Sequence, residues 1–266
     1  MTEKTNNDIL YRKGDIIELK KDFIPQEFQD LNSTFGIIIS NNKTNINKVT
    51  ILPIIQGKFR KTNTVSKIKL SIEEWKENST YMKKQLQNYF ICCESVRTVI
   101  LDRVERIIGR ANYYGIESRL TNLFKMNTCQ CNILHSWVQK CDIAWYDWGQ
   151  DSIGHETSKH RPTIVLAYNA NKKKAIISPI TTSNIKSKRG YSEYLSIFTD
   201  DINRNFGRNE LSETRQIILL DEFRTVSVLF DSSARDLIKV GELFPDMYEK
   251  VNKSLRYIFD IGGKLS

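Results

Sequence analysis

The chain has 266 residues, with 40 Lys+Arg against 31 Asp+Glu, a formal charge of +9, and 40% hydrophobic and 10% aromatic residues. That balance excludes a disordered polyelectrolyte, and no run approaches the roughly 20 apolar residues of a membrane-crossing helix. Met1 to Asp8 is polar and lacks the apolar stretch of a signal peptide, so a cytoplasmic protein is expected. Asp15 to Leu19 reads as a strand, followed by a polar loop from Lys20 to Thr34 that contains Pro25. Two β-branched runs, Gly36 to Ser40 and Val49 to Ile55, are separated by Asn41, Asn42, Asn45 and Asn47 and read as a hairpin. Ser71 with Glu74 makes a capping box, and Trp75, Met82, Leu86 and Tyr89 share a helical face, which predicts a helix over 72–88. A strand pair within Phe90 to Ile108 and a closing helix carrying Ile116, Leu120, Leu123 and Phe124 complete the first half.

The second half follows the same plan. Strands are expected at Asp142 to Tyr146, Thr163 to Tyr168, Ala175 to Ile180 and Ile217 to Val228. A helix from Pro245 to Phe259 closes it, with Tyr248, Val251, Leu255 and Ile258 on one face. Short strands at turn-rich intervals with a terminal helix point to a small barrel carrying helices, and βαβ alternation is absent from both halves.

The two halves are also alike in sequence. Lys13, Asp15 and Ile16 recur as Lys140, Asp142 and Ile143, and Phe35 to Ser40 is answered by Arg161 to Leu166. Lys48 to Gln56 matches Lys174 to Thr182, and Glu94 to Val99 matches Asp221 to Val226, all at offsets of 126 or 127. A period this long lies far outside the roughly 20 to 50 residues of solenoid repeats, so it reads as two related domains, 1–133 and 134–266. The first 135 residues hold 21 basic against 14 acidic residues, so most of the positive surplus falls in the first copy. Such a surplus concentrates polyanions without reading their sequence.

Of the five cysteines, Cys129, Cys131 and Cys141 approach a ligand set for zinc but lack a convincing fourth member. Free thiols and no metal or cofactor are expected.

One stretch of the second copy is more specific. Gly154-His155-Glu156-Thr157-Ser158-Lys159-His160-Arg161-Pro162 leads into a β-branched strand, then come Ser178-Pro179-Ile180-Thr181-Thr182 and Asp221-Glu222-Phe223-Arg224-Thr225-Val226. Together with Asp142-Ile143-Ala144-Trp145-Tyr146-Asp147, these segments resemble, in order and spacing, the MazF/PemK (Kid) family of toxin endoribonucleases. Cys141 stands where that family has Gly, and His155 and Thr157 where it has Ser and Gln. The resemblance covers most of residues 138 to 260. It implies a mainly β fold with helices (α+β), two tandem SH3-like barrels of the CcdB/PemK type, and an intramolecular pseudo-dimer.

It also implies an activity: metal-independent, sequence-selective cleavage of single-stranded RNA by attack of the ribose 2′-hydroxyl. Arg161 and Thr181 would form the catalytic pair, with Glu156 as proton acceptor and His155 and His160 as candidates for acid-base or RNA-binding roles. RNA contacts would come from Thr182, Lys186, Lys188 and Arg189, with Lys58, Arg60 and Lys61 of the first copy, in a basic loop that continues to Lys67 and Lys69. Sequence alignment sets Phe35 against Arg161 and Ile55 against Thr181, so the first copy is expected to be silent, because neither side chain donates a hydrogen bond to phosphate. The implied partners are mRNA, an antitoxin with an acidic or extended tail, and, beyond the internal pseudo-dimer, a further homodimer. Two other readings stay open. One is an inactive RNA-binding or protein-interaction module, and the other a gyrase-inhibitor-like toxin, since fold does not fix function.

Overall fold

A computed structural model describes residues 11–40, 47–56, 67–75, 89–113, 115–126, 138–149, 160–169, 173–181, 193–203, 215–228 and 237–262. The first half contributes β1 (Asp15–Leu19), β2 (Phe35–Ile38), β3 (Lys48–Gln56), β4 (Lys67–Lys69), β5 (Ile72–Trp75), β6 (Tyr89–Cys92), β7 (Arg97–Ile100) and β8 (Val104–Ala111). The second contributes β9 (Asp142–Asp147), β10 (His160–Asn169), β11 (Lys174–Thr181), β12 (Tyr194–Ile197), β13 (Ile202–Asn203), β14 (Gln216–Leu219), β15 (Arg224–Ser227) and β16 (Ile238–Leu243). The protein is thus mainly β, with two curled eight-stranded sheets and few helices.

The sheets run β4-β6-β3-β2-β1-β8-β5 and β12-β14-β11-β10-β9-β16-β13, with β7 on β3 and β15 on β11. Adding eight to each strand number of the first order gives the second. The registers agree residue by residue. Ile16 faces Ile37 as Ile143 faces Ile164, and Thr50 faces Thr98 as Ile176 faces Thr225. Each sheet also bulges at the same place, between Ile16 and Ile17 on β1 and between Lys239 and Gly241 opposite Ile143 and Ala144.

The turns that launch the two sheets are built alike. Asp15 accepts from Arg12 N–H and Asp142 from Gln139 N–H, each at 2.8 Å, while the residue before it takes a left-handed conformation. In the first half that residue is Gly14 at φ 90°, which suits a residue with no Cβ; in the second it is Cys141 at φ 69°, fully buried.

Helices Ile116–Leu123 and Pro245–Phe259 close the halves. Both end in a left-handed residue, Lys125 at φ 46° and Asp260 at φ 50°. Met126 N–H returns to Thr121 O, and Ile261 N–H to Arg256 O, at 2.9 Å each, which satisfies carbonyls that the helix leaves unpaired. One apolar core runs through both halves, from Ile16, Leu52 and Ile108 to Ile164, Leu220 and Leu255. At its centre Phe124, Phe223 and Phe259 meet ring to ring, with centroids 5.2 to 6.1 Å apart.

Three expectations change here. Ile217 to Val228 is not one strand but two, Gln216–Leu219 and Arg224–Ser227, each paired with a different part of β11. Ile72–Trp75 is a strand, pairing Ile72 with Ala111 and Trp75 with Gly109, where the capping-box pattern predicted the start of a helix. The open edge of β8 offers backbone partners that a local pattern cannot reveal, and residues 76–88 of the predicted helix lie outside the described residues. The loop from Lys20 to Thr34 is not wholly polar, since a short helix, Gln26–Gln29, carries fully buried Phe28 onto the sheet. The junction 127–137 lies outside the described residues. No helix among the described residues is long and apolar enough to cross a membrane.

Candidate functional site

The second sheet lines up a row of side chains. Arg161 on β10 faces Tyr146 on β9, Thr181 at the end of β11 faces Ile217 on β14, and Ile217 faces Ser196 on β12. Thr163 faces Pro179 at the end of the β10–β11 ladder, and Arg161 and Thr181 each lie two residues beyond that pair on their own strands. Strand residues two apart project from the same face, so Arg161 and Thr181 share the face and the sheet end defined by Thr163 and Pro179. Arg161 is half-buried and Thr181 is 7% exposed.

The face that carries them packs a second apolar cluster, including Ala144, Trp148, Val165 and Ile177. Trp148 is 2% exposed and donates its indole N–H to Thr163 Oγ1 at 3.0 Å, two residues from Arg161 on the same side of β10. Arg224 donates to Trp148 O at 2.7 Å and holds its guanidinium 5.0 Å from the centre of the indole. Trp148 was not singled out from sequence, and Arg224 only as part of the segment from Asp221 to Val226. The signal for Arg224 was the repetition of Arg-Thr-Val at Arg97 and Arg224, both buried.

His160 is placed differently. It stacks on Trp145, with centroids 5.2 Å apart and planes at 18°, and successive strand residues alternate, so it lies on the opposite side of β10 from Arg161. Glu156, His155, Thr182, Lys186, Lys188, Arg189, Lys58, Arg60 and Lys61 lie outside the described residues. Lys67 and Lys69 are exposed on the edge strand β4.

In the first sheet the same row reads Leu19, Thr34, Ile55, Phe90 and Lys69. The registers of β1 with β2 and of β9 with β10 correct the sequence alignment by one residue, making Thr34 rather than Phe35 the counterpart of Arg161. Ile37 to Ile39 and Ile164 to Leu166 are apolar in either frame, so composition could not fix the slip. The counterpart of Thr181 remains Ile55, which packs with Phe90 and Cys92 and against Leu31. No guanidinium stands in this row. Phe28 and Ile38 belong to the apolar cluster beside this row.

The thiols offer little chemistry. Burial pushes Cys93 up to about 12, Cys141 is enclosed in the core, and Cys129 and Cys131 lie outside the described residues. Among the described residues no group of three His, Cys, Asp or Glu is arranged to hold a metal ion.

Residues 139–259 match the family model described as PemK-like, MazF-like toxin of type II toxin-antitoxin system. The second half of the chain therefore carries a PemK/MazF-type toxin domain. A crystal structure of MazF from Deinococcus radiodurans is 19% identical, covers 46% of this chain and 96% of that one, and superposes with a TM-score of 0.33. The family match carries the assignment. No curated protein matches the chain.

Proposed function

We propose that the chain is the toxin of a type II toxin-antitoxin system and an endoribonuclease with one working site, at Arg161 and Thr181. The observation that carries this reading is that both lie at the same end of the adjacent strands β10 and β11 in the family-matched half, where the first half has Thr34 and Ile55. In the proposed reaction the ribose 2′-oxygen bonds to the adjacent phosphorus while its proton passes to a base, for which Glu156 is the candidate. The bond from phosphorus to the 5′-oxygen breaks and that oxygen takes up a proton, leaving a 2′,3′-cyclic phosphate and a 5′-hydroxyl. Arg161 contributes a permanently charged, planar fork for the phosphate oxygens, and Thr181 a neutral hydroxyl donor beside it. Such donors act most strongly where charge develops on the way to the transition state.

The proposed substrate is single-stranded mRNA in the cytoplasm, and the proposed regulator is an antitoxin whose acidic, extended tail suits a chain of net charge +9. The first half, on this reading, is a silent copy that supplies the partner surface a second subunit would otherwise provide.

The test is incubation with long single-stranded RNA in EDTA, beside Arg161→Ala and Thr181→Val proteins whose folding is checked by thermal unfolding. Wild type should leave cyclic-phosphate and 5′-hydroxyl ends, and each variant should cleave about 10² to 10³ times more slowly. Equal rates in wild type and variants, or RNA bound but never cut by wild type, would overturn the proposal in favour of the binding module.

A further inference from the structure

From Thr181 the second sheet continues, through Ile217 to Ser196, into a second polar cluster. Arg215 donates from Nη2 to Ser196 Oγ at 2.7 Å and lays its guanidinium over Phe198, 5.4 Å from the ring centre. Phe198 is 51% exposed, the highest value among the large hydrophobic residues described as exposed. Arg215 Nε is buried and has no hydrogen-bond partner among the described residues. Phe198 thus offers a half-exposed aromatic surface with a guanidinium held beside it by Ser196. Ser196 and Thr181 both face Ile217, from either side, so the cluster sits two strand spacings, about 10 Å, from Thr181.

We infer that Phe198, Arg215 and Ser196 form a subsite for a nucleotide flanking the scissile bond of a single-stranded polynucleotide. The base stacks on Phe198, and the backbone phosphate lies against the positive charge of Arg215. This rests on the ribonuclease reading and deepens it. Stacking on an exposed aromatic tolerates every base, and a guanidinium on phosphate reads charge, so the subsite adds affinity and fixes strand direction without choosing sequence. The first half lacks it, because the position of Ser196 is held there by Lys69.

The test measures binding of a roughly 12-nucleotide, fluorescein-labelled 2′-O-methyl RNA of mixed sequence, a length within the usual site size and with the attacking hydroxyl blocked. The proteins are full-length wild type, Phe198→Leu, Arg215→Gln and Arg215→Lys, compared at several salt concentrations after thermal unfolding confirms that each is folded. Phe198→Leu should weaken binding about 5- to 100-fold with an unchanged salt slope. Arg215→Gln should weaken it and flatten the slope of log K against log salt by about 0.7, and Arg215→Lys should restore the slope but not the full affinity. Folded Phe198→Leu and Arg215→Gln proteins that bind like wild type would overturn the subsite while leaving the ribonuclease reading intact. Wild type that neither binds this RNA nor cleaves the unmodified strand would overturn both.

Discussion

Asp142 shows how burial sets a residue's behaviour. It is 1% exposed, and burial pushes its carboxyl up to about 6 even though Lys239 Nζ lies 2.7 Å away. An unfolded aspartate titrates near 3.9, so the native state binds this proton more tightly than the unfolded chain does. The penalty for burying the group is therefore smallest below about pH 4 and fully felt above about pH 6. Relative to Asp142→Asn, wild type should gain stability on the order of 2 kcal/mol as pH falls from 7 to 4.5, read from paired thermal or urea unfolding curves. A difference that stays flat across that range would contradict the assignment. Sequence reached this scale unevenly. The placing of Arg161 and Thr181 on adjacent strands was legible because motif order carries strand order with it. The facing of His160 away from Arg161 follows from strand alternation once β10 is known to begin at His160, whereas the motif alone suggested a shared loop. Cys141 in place of glycine proved to sit at a left-handed turn position, matched by Gly14.

Among the elements, β7 and β15 tie the halves together by the same bond made twice. Thr98 Oγ1 accepts from Phe223 N–H at 2.9 Å, and Thr225 Oγ1 accepts from Val96 N–H at 2.7 Å. Each hydroxyl also donates to the opposite half, Thr98 to Asp221 O at 2.9 Å and Thr225 to Val96 O at 3.1 Å. Such mutual pairing is what an isologous interface requires, here inside one chain. Thr98→Val and Thr225→Val each strand a buried N–H, so each should lower stability by about 1 to 3 kcal/mol in chemical denaturation, and by similar amounts. A loss confined to one of the two would break the equivalence. The ions at this boundary are less symmetric: Lys48 pairs with Glu222, and Asn169 donates to Glu94 at 3.2 Å. Closing helices were legible because a 3.6-residue stripe is a local signal, as at Val251, Leu255 and Ile258. The strand Ile72–Trp75 was not, because its reason is the distant edge of β8.

At the scale of the whole molecule, two lysines cross over. Lys13 of the first half donates to Phe259 O and Asp260 O at 2.7 and 3.2 Å, at the end of the second half's helix. Lys140 of the second half donates to Phe124 O and Lys125 O, at the end of the first half's helix. A cation at a helix C-terminus is favoured by the macrodipole, and here each half provides it for the other. Neither half is therefore finished by its own residues, and the core that joins them is shared. The peptide link between them is then chiefly a tether that sets local concentration. Two polypeptides, 1–133 and 134–266, made separately and mixed, should find each other and restore one cooperative unfolding transition whose midpoint rises with concentration. The midpoint of the unbroken chain should not depend on it. Persistent, independent melting of the two pieces would mean that each half is self-sufficient. Complementation would make this protein a heterodimer that happens to be written as a single sentence.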